Sequence, residues 1–343
     1  MSHHNGRYVQ IAGWGKSLPE HVLSNADLAN LIDTSDEWIR ARTGIRERRV
    51  AALEETTSSL ATGAAREALQ RAQVAAEDVD LVIVATSTPD YANMPGTASL
   101  VQHALGARRA GAFDLNAVCS GFLYALCTGS QFILSGARRA VLVVGAETFS
   151  RIIDWTDRST CVLFGDGAGA VVLRPTAEPG GLLSFVLGSD GSGACHLTVP
   201  AGGSRRPTSA ITVEQREHYV RMHGREVFRF ATSVLPTSVL EVLGRAGLAT
   251  RDIDLLIPHQ ANRRIIDAAA RRLDLPIERV FSNVESYGNT SAASLPIALC
   301  EAVEAGRISD GNTVVMSGFG AGLTWAAAVW RWHGDRASPT AVA

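Results

Sequence analysis

Apolar residues recur along the chain in two rhythms. Short apolar runs of strand length alternate with longer stretches in which apolar positions repeat every three or four residues, as on one face of a helix. The short runs predict strands over 9–13, 81–86, 112–115, 140–147 and 168–174. A second set follows at 182–188, 255–258, 280–283, 314–318 and 324–330. The longer stretches predict helices over 57–72, 119–135, 227–246, 263–273 and 291–305. Alternation of this kind marks an α/β chain whose mostly parallel sheet is covered on both faces.

The pattern also repeats itself. ALQRAQVAAEDVDLVIV (68–84) lies over VLGRAGLATRDIDLLIP (242–258), and VLVVG with FGDGAGAVVL lies over TVVMS with FGAGLTWAAAV in the same order. Internal similarity on this scale predicts two similar βαβ halves. We place them at 1–178 and 179–335, followed by a loose tail at 336–343. Two stretches break the rhythm. Residues 188–222 are rich in Gly, Ser, Pro and Arg and predict a long excursion, while 22–50 predicts short helices started by Asn or Ser caps. Both are placed to flank a substrate entrance.

Composition narrows the setting. With 343 residues, 46% hydrophobic and 19% charged, the chain can bury a large core. Its formal net charge of -2 offers no general attraction for nucleic acid or anionic lipid. The five cysteines (Cys119, Cys127, Cys161, Cys195, Cys300) are scattered, with no CxxC spacing, which argues against a disulfide framework or a zinc site. A reducing cytoplasm is the expected location. Residues 1–6 lack a signal-peptide pattern and no run reaches the ~18 apolar residues of a membrane span, so neither export nor a transmembrane helix is expected. His3 and His4 read as part of a solvated start.

Three residues carry candidate chemistry. Cys119, in AFDLNAVCSGFLYAL, falls where a strand turns into an apolar helix. There, free N–H groups and the helix dipole are expected to lower the thiol pKa. A buried structural cysteine is the other reading of that residue. His259, in LLIPHQANRRIIDAAARRL, lies between a strand and a helix, the edge where open α/β sheets build sites. Asn289, in NVESYGNTSAAS, follows Gly288 and precedes another helix start. Each alone could be a structural hydrogen-bonding group. At three strand-to-helix junctions of a repeated fold they are expected to converge on one pocket. The loop SGFGAGLTW can turn a backbone N–H toward a substrate oxygen, whereas FGDGAGAVV reads as structural.

The motifs TSDEWIRARTGIRER, AVCSGF, FGDGAGA, PHQAN, YGNTSAAS and GFGAGLTW stand in the order found in ketoacyl-ACP synthase III of the thiolase-like superfamily, which the chain resembles over residues 8–332. Thiolases prefer a second cysteine, and elongating synthases use two histidines. The Cys–His–Asn set is therefore similar to the initiating enzyme. The resemblance implies a thiolase-like fold with layers α-β-α-β-α. It implies that Cys119 is acylated by an acyl-CoA primer, and that His259 and Asn289 then bind the thioester carbonyl of malonyl-ACP during decarboxylation. The N–H groups of Cys119 and Ala321 are implied as the oxyanion hole. For coenzyme A it points to Trp38 and Arg158 around the adenine, Arg42 near the phosphates, Asn262 along the pantetheine, and Gly224 and Arg225 bordering the tunnel. Phe164 is assigned to the acyl pocket. The resemblance also implies a homodimer, with Met94 standing where an aromatic often crosses into the partner's acyl pocket. No metal or redox cofactor is implied.

Two further readings stay open on sequence. One is a related condensing enzyme or acyltransferase of secondary metabolism, supplying a polyketide starter unit. The other is a silent thiolase-fold protein that only binds acyl chains. Gly320-Ala321-Gly322-Leu323, where some relatives carry Gly-Gly-Gly-Phe, and Met94 leave the primer open between acetyl-CoA and longer or branched acyl-CoA. Arg263, Arg264, Arg271 and Arg272 follow His259 on one predicted helix, and they are the expected docking site for the acidic acyl carrier protein.

Overall fold

A computed structural model describes residues 7–333. His3, His4 and the expected tail at 336–343 lie outside the described residues.

The first half runs β1 (Tyr8–Ser17), β2 (Val22–Ser24), α1 (Asn25–Ala29), α2 (Asp36–Thr43), β3 (Glu47–Arg49) and α3 (Thr57–Ala72). It continues through β4 (Leu81–Ala85), α4 (Thr97–Leu105), β5 (Gly111–Leu115), α5 (Gly121–Leu134), β6 (Val141–Glu147), α6 (Arg158–Cys161) and β7 (Gly167–Thr176). The second half begins with β8 (Gly181–Ser189), β9 (Leu197–Thr198), α7 (Ala210–Glu214), β10 (Arg221–Met222) and α8 (Gly224–Ala246). It ends with β11 (Leu255–Pro258), α9 (Arg263–Arg272), α10 (Val284–Tyr287), α11 (Ser294–Glu304), β12 (Thr313–Gly320) and β13 (Thr324–Arg331).

Nine strands form one mixed sheet in the order β11-β12-β13-β8-β1-β7-β6-β4-β5, with the two halves contributing contiguous blocks. They join where β1 meets β8 in parallel, at Val9 and Gly181. Three buried apolar clusters give the layering. One packs α3 and α4 on the outer face of the first block, through Leu60, Ala64, Ala68 and Val101. A second packs α8 and α9 on the second block, through Leu235, Val239, Ile266 and Ala269. The third lies between the blocks and buries α5 and α11, through Phe122, Leu126, Leu295 and Leu299, against strands of both. A nearly all-apolar helix such as α5 is stable only with sheet on both sides. The layers are therefore α-β-α-β-α, as expected.

The repeat extends to single residues. Gln73 and Gly247, 174 positions apart, both end their helices in the left-handed conformation, with φ of 52° and 70°. A short 3-10 turn then precedes β4 and β11 alike, at Ala76–Asp78 and Thr250–Asp252.

Several expectations need correction. No strand forms over 280–283; Val280 makes only an isolated bridge to Leu256. The Gln260 side chain explains this, since its Oε1 accepts from the N–H groups of Asn283 and Val284 (2.9 and 3.2 Å) that a ladder would need. The helices expected from 119 and 291 begin instead as 3-10 turns, Val118–Ser120 and Ser291–Ala293. The excursion after β8 is ordered by β9, β10 and α7 and is anchored by Arg216 on Asp154 (2.6 Å). Among the described residues α8 is long and apolar enough to cross a membrane, contrary to the sequence count. In this fold it is a core helix, burying Ala231, Leu235 and Val239 while Arg225, Arg229 and Arg245 face out. The insertion over 22–50 is tied down by Arg48, whose buried guanidinium donates to Leu23 C=O, Asn25 Oδ1 and Val162 C=O.

Candidate active site

The site is assembled by three chain segments: two leave strands β5 and β11 and enter helices, and the third links the short helix α10 to α11. Cys119 sits in the 3-10 turn between β5 and α5, directly after Val118, whose φ of 48° is left-handed. His259 follows the last residue of β11, and its N–H donates to Ser317 C=O at 2.7 Å, extending the pairing of β11 with β12. Asn289 is held by backbone bonds to both sides of Phe164: its N–H donates to Leu163 C=O (2.8 Å), and its C=O accepts from Gly165 N–H (3.0 Å). Gly288 makes that approach possible. Its φ is +62°, and a Cβ there would stand 2.6 Å from Leu163 O.

These three residues line one cavity of about 90 Å³ together with Phe164, Phe319, Gly320 and Leu323. Asn262, Gly224, Phe228 and Ile265 also line it, and Gly224 is exposed. The structure thus brings Cys119, His259 and Asn289 together with predicted residues Phe164, Asn262 and Gly224. It does not bring Met94, which is 79% exposed on the loop before α4 and stands outside this chain's own cavity. Ala321 lies in the turn to β13 and is not part of the lining, whereas Gly320 is. A Cβ on Gly320 would come 2.8 Å from the Cys119 nitrogen, so glycine keeps the approach to that amide open.

The electrostatics correct one expectation. Cys119 is 3% exposed, and burial pushes its thiol up to about 12 rather than down. Helix α5 begins only at Gly121, beyond the cysteine, so the expected dipole does not offset the loss of water. Sγ donates to Ser291 Oγ at 3.5 Å. His259 is fully enclosed, and burial lowers its pKa to about 3, so the ring is neutral at physiological pH. Its Nδ1 lies 2.5 Å from Ser294 Oγ, and its ring meets Phe319 edge-on at 5.2 Å. Asn289 Oδ1 accepts from Ser291 N–H at 2.9 Å, which leaves the amide NH2 as its free donor group on the cavity side.

Outside the cavity lining, two guanidiniums lie over Trp38: Arg42 at 4.5 Å and Arg158 at 4.7 Å from the ring centroid. Sequence placed a base between Trp38 and Arg158. In this structure Arg158 contacts the indole directly and donates to Asp33 C=O at 2.7 Å, so a base stacks there only after Arg158 swings out. Asn262 caps α9 through Arg264 N–H (2.8 Å) and donates to Arg42 C=O (3.1 Å), joining this group to the cavity. Arg225 is exposed and outside the lining.

Along α9, Arg263 is taken up by Asp267 at 2.8 Å and lies beneath Gly44. Arg264, over the Phe228 ring at 5.4 Å, and Arg271 and Arg272 are exposed. Sequence reasoning missed Ser291 and Ser294 as site residues, although both lie inside the motif YGNTSAAS and Ser291 N–H donates to Asn289 two residues away, and it missed Glu147, which reaches the site only through the fold. It also missed Phe319, although that residue sits inside the motif GFGAGLTW.

Residues 113–191 match the family described as 3-oxoacyl-[acyl-carrier-protein (ACP)] synthase III, and residues 243–332 match its C-terminal region. The beta-ketoacyl-[acyl-carrier-protein] synthase III of Symbiobacterium thermophilum is 55% identical over 326 residues, 95% of this chain and 98% of the relative. The crystal structure of the corresponding Thermus thermophilus enzyme is 51% identical and superposes with a TM-score of 0.88, covering 95% of this chain and 99% of the other. A priming beta-ketosynthase from a polyketide biosynthetic pathway is 38% identical with a TM-score of 0.89, covering 96% and 98%.

Proposed function

The chain belongs to the 3-oxoacyl-[acyl-carrier-protein] synthase III family, an acyl-transferring condensing enzyme of fatty-acid synthesis, and from that premise we propose that Cys119, His259 and Asn289 perform the initiating condensation. The observation that carries this assignment is their convergence on one largely apolar tunnel, with the nucleophile itself buried.

In the first half-reaction the Cys119 thiolate attacks the acyl-CoA thioester and expels the CoA thiolate. The oxyanion formed on the way is stabilised by the N–H groups of Cys119 and Ala321. In the second, malonyl-ACP loses CO2, and the enolate oxygen accepts hydrogen bonds from neutral His259 and the Asn289 amide. The enolate carbon then attacks the acyl group on Cys119, giving 3-ketoacyl-ACP. Apart from the CoA thioester substrate, this chemistry calls on no cofactor and no metal.

Trp38, Arg42, Arg158, Gly224, Arg225 and Asn262 are the proposed coenzyme A contacts, with the two guanidiniums beside Trp38 supplying charge for the phosphates. We propose a homodimer. Strand β5 is an unpaired edge of the sheet, with Phe113 38% exposed, and Asp114 on it caps the helix that follows the Met94 loop. In such a dimer Met94 would reach the partner's acyl pocket, where Phe164 also lies. Action in the cytoplasm on soluble acyl carriers, with no nucleic-acid or membrane partner, completes the reading.

The likeness to the polyketide priming synthase keeps the primer as the point to test. The expected result, from radiolabelled transfer across a panel of acyl-CoAs with malonyl-ACP, is 3-ketoacyl-ACP formation with acetyl-CoA or a branched short primer. Transfer without condensation on malonyl-ACP would reject the initiating role.

For docking, Arg264→Glu with Arg272→Glu is expected to raise KM for malonyl-ACP several-fold, and more so at low salt, where exposed charges act over longer range. The acyl-CoA half-reaction should be far less affected. Steady-state kinetics at two ionic strengths decide it, and malonyl-ACP kinetics equal to wild type at low salt would remove α9 from the docking surface.

A further inference from the structure

One buried carboxylate has no part in the chemistry above, yet it stands one hydroxyl away from the nucleophile. Glu147, the last residue of β6, is fully buried. Ser291 Oγ donates to its Oε1 at 3.0 Å, and Cys119 Sγ donates to the same Oγ at 3.5 Å. Every other contact to the carboxylate is also a donor: Ser87 N–H (3.2 Å) and Oγ (2.8 Å), Thr86 Oγ1 (3.3 Å), Ala292 N–H (3.5 Å) and Thr88 Oγ1. Among the described residues no Lys, Arg or His pairs with it by hydrogen bond or salt bridge. Ser291, the bridging residue, has a left-handed φ of 49°, unusual for a non-glycine residue and a mark of a position imposed by its surroundings.

Resting on the assignment of Cys119 as nucleophile, we propose that Ser291 and Glu147 are a proton relay for its thiol. The Cys119 Sγ–H bond breaks as its proton passes to Ser291 Oγ, and the Ser291 O–H proton passes to Glu147 Oε1. The products are a thiolate, an intact serine hydroxyl and a neutral carboxylic acid. The thiolate attacks the acyl-CoA carbonyl, and the carboxyl returns its proton through Ser291 to the departing CoA thiolate. Condensation later releases Cys119 as a thiolate, and one proton from water restores the thiol, which closes the balance of the whole reaction.

Charge accounting favours this route. Forming the thiolate beside an ionised Glu147 would put two anions in a dry site without a counter-ion, whereas internal transfer holds the pair at one negative charge throughout. Burial raises both groups, the thiol to about 12 and the carboxyl above its ordinary range, so the carboxylate is a stronger base than in water. The titratable side chain that shares the cavity with the thiol is His259, which is neutral; hydroxyls and amides make up the remainder of the surroundings of Glu147.

The test is the pH profile of Cys119 alkylation by iodoacetamide, read by intact-mass spectrometry with peptide mapping. Internal transfer exchanges no proton with water, so wild type should show a plateau across neutral pH. Glu147→Gln keeps the shape but cannot accept the proton. Its rate should drop at least tenfold at pH 7 and climb about tenfold per pH unit, as for an isolated thiol below its pKa. A bystander charge predicts the opposite sign, because removing a nearby anion eases ionisation of the thiol. Alkylation of Glu147→Gln that is faster than or equal to wild type therefore overturns the relay. Should that variant fail to fold, Ser291→Ala decides by the same profile, and a retained plateau overturns the proposal. Alkylation of wild type at a different cysteine would instead strike the nucleophile assignment.

Discussion

Cys119→Ala is expected to abolish self-acylation by acyl-CoA, leaving no adduct in intact-mass spectra under conditions that fully acylate wild type. The reason is positional as much as chemical. Cys119 is the cysteine that lines the tunnel, and the turn Val118–Ser120 presents it against the backbone of Gly320. Cys127, Cys161 and Cys300 are buried outside the cavity, and burial raises each of their thiols, that of Cys161 to about 11. Cys195 is exposed but lies outside the lining. Losing Sγ removes a single weak hydrogen bond, to Ser291, so the fold should persist with a stability change on the order of 1 kcal/mol. A stoichiometric acyl adduct on the alanine variant would end the assignment. Mapping that adduct to Cys161 or Cys127 would relocate the site.

How much of this was legible in the sequence depends on how far each cause lies along the chain. Helix α3 follows the predicted 57–72 because its cap and its apolar stripe are local: Thr56 accepts from Ser59 N–H at the first turn. Strand β11 was likewise readable from its own apolar run. Helix α4 was missed. Gly96 offers it no side-chain cap, and the cap comes from Asp114 on β5, whose carboxylate accepts from Thr97 and Ala98 N–H at 2.7 and 2.6 Å. The absent strand at 280–283 has the same kind of cause, since a glutamine some twenty residues earlier takes its backbone donors.

The site divides along the same line. Cys119, His259 and Asn289 stood out because each follows an apolar run of strand length and precedes a helix, a pattern visible within ten residues even though the run before Asn289 forms no strand. The groups that tune them did not stand out. Ser294 is 35 residues from His259, and Glu147 is 144 residues from Ser291. The thiol was expected to be acidic from its place before a helix. The fold buries it completely, and desolvation outweighs a dipole that is worth little beyond the first turn. The sign of that pKa shift is a property of the packing around α5 and was not available from local sequence.

The division of labour between the half-reactions gives the second large effect. His259→Ala and Asn289→Ala are each expected to lower malonyl decarboxylation by ~10²–10³ while leaving acyl transfer to Cys119 measurable, because one lost oxyanion donor typically costs that much. The geometry gives both side chains a donor toward the cavity. Asn289 Oδ1 is occupied by Ser291 N–H, so its NH2 is free to donate. Ser294 Oγ lies 2.5 Å from His259 Nδ1, and a hydroxyl that donates there holds the ring proton on Nε2, the tautomer that can donate to an enolate oxygen. The ring's pKa of about 3 means that it is already in this neutral form above roughly pH 4. Decarboxylation by wild type should therefore show no acid limb assignable to His259 between about pH 5 and 8, because lowering the pH through that window leaves the ring unprotonated. Separate assays, CO2 release from malonyl-ACP and acylation by acyl-CoA, distinguish the roles. Equal loss of both activities in His259→Ala would show that the histidine serves thiol activation as well, and would also weaken the case for a relay through Glu147.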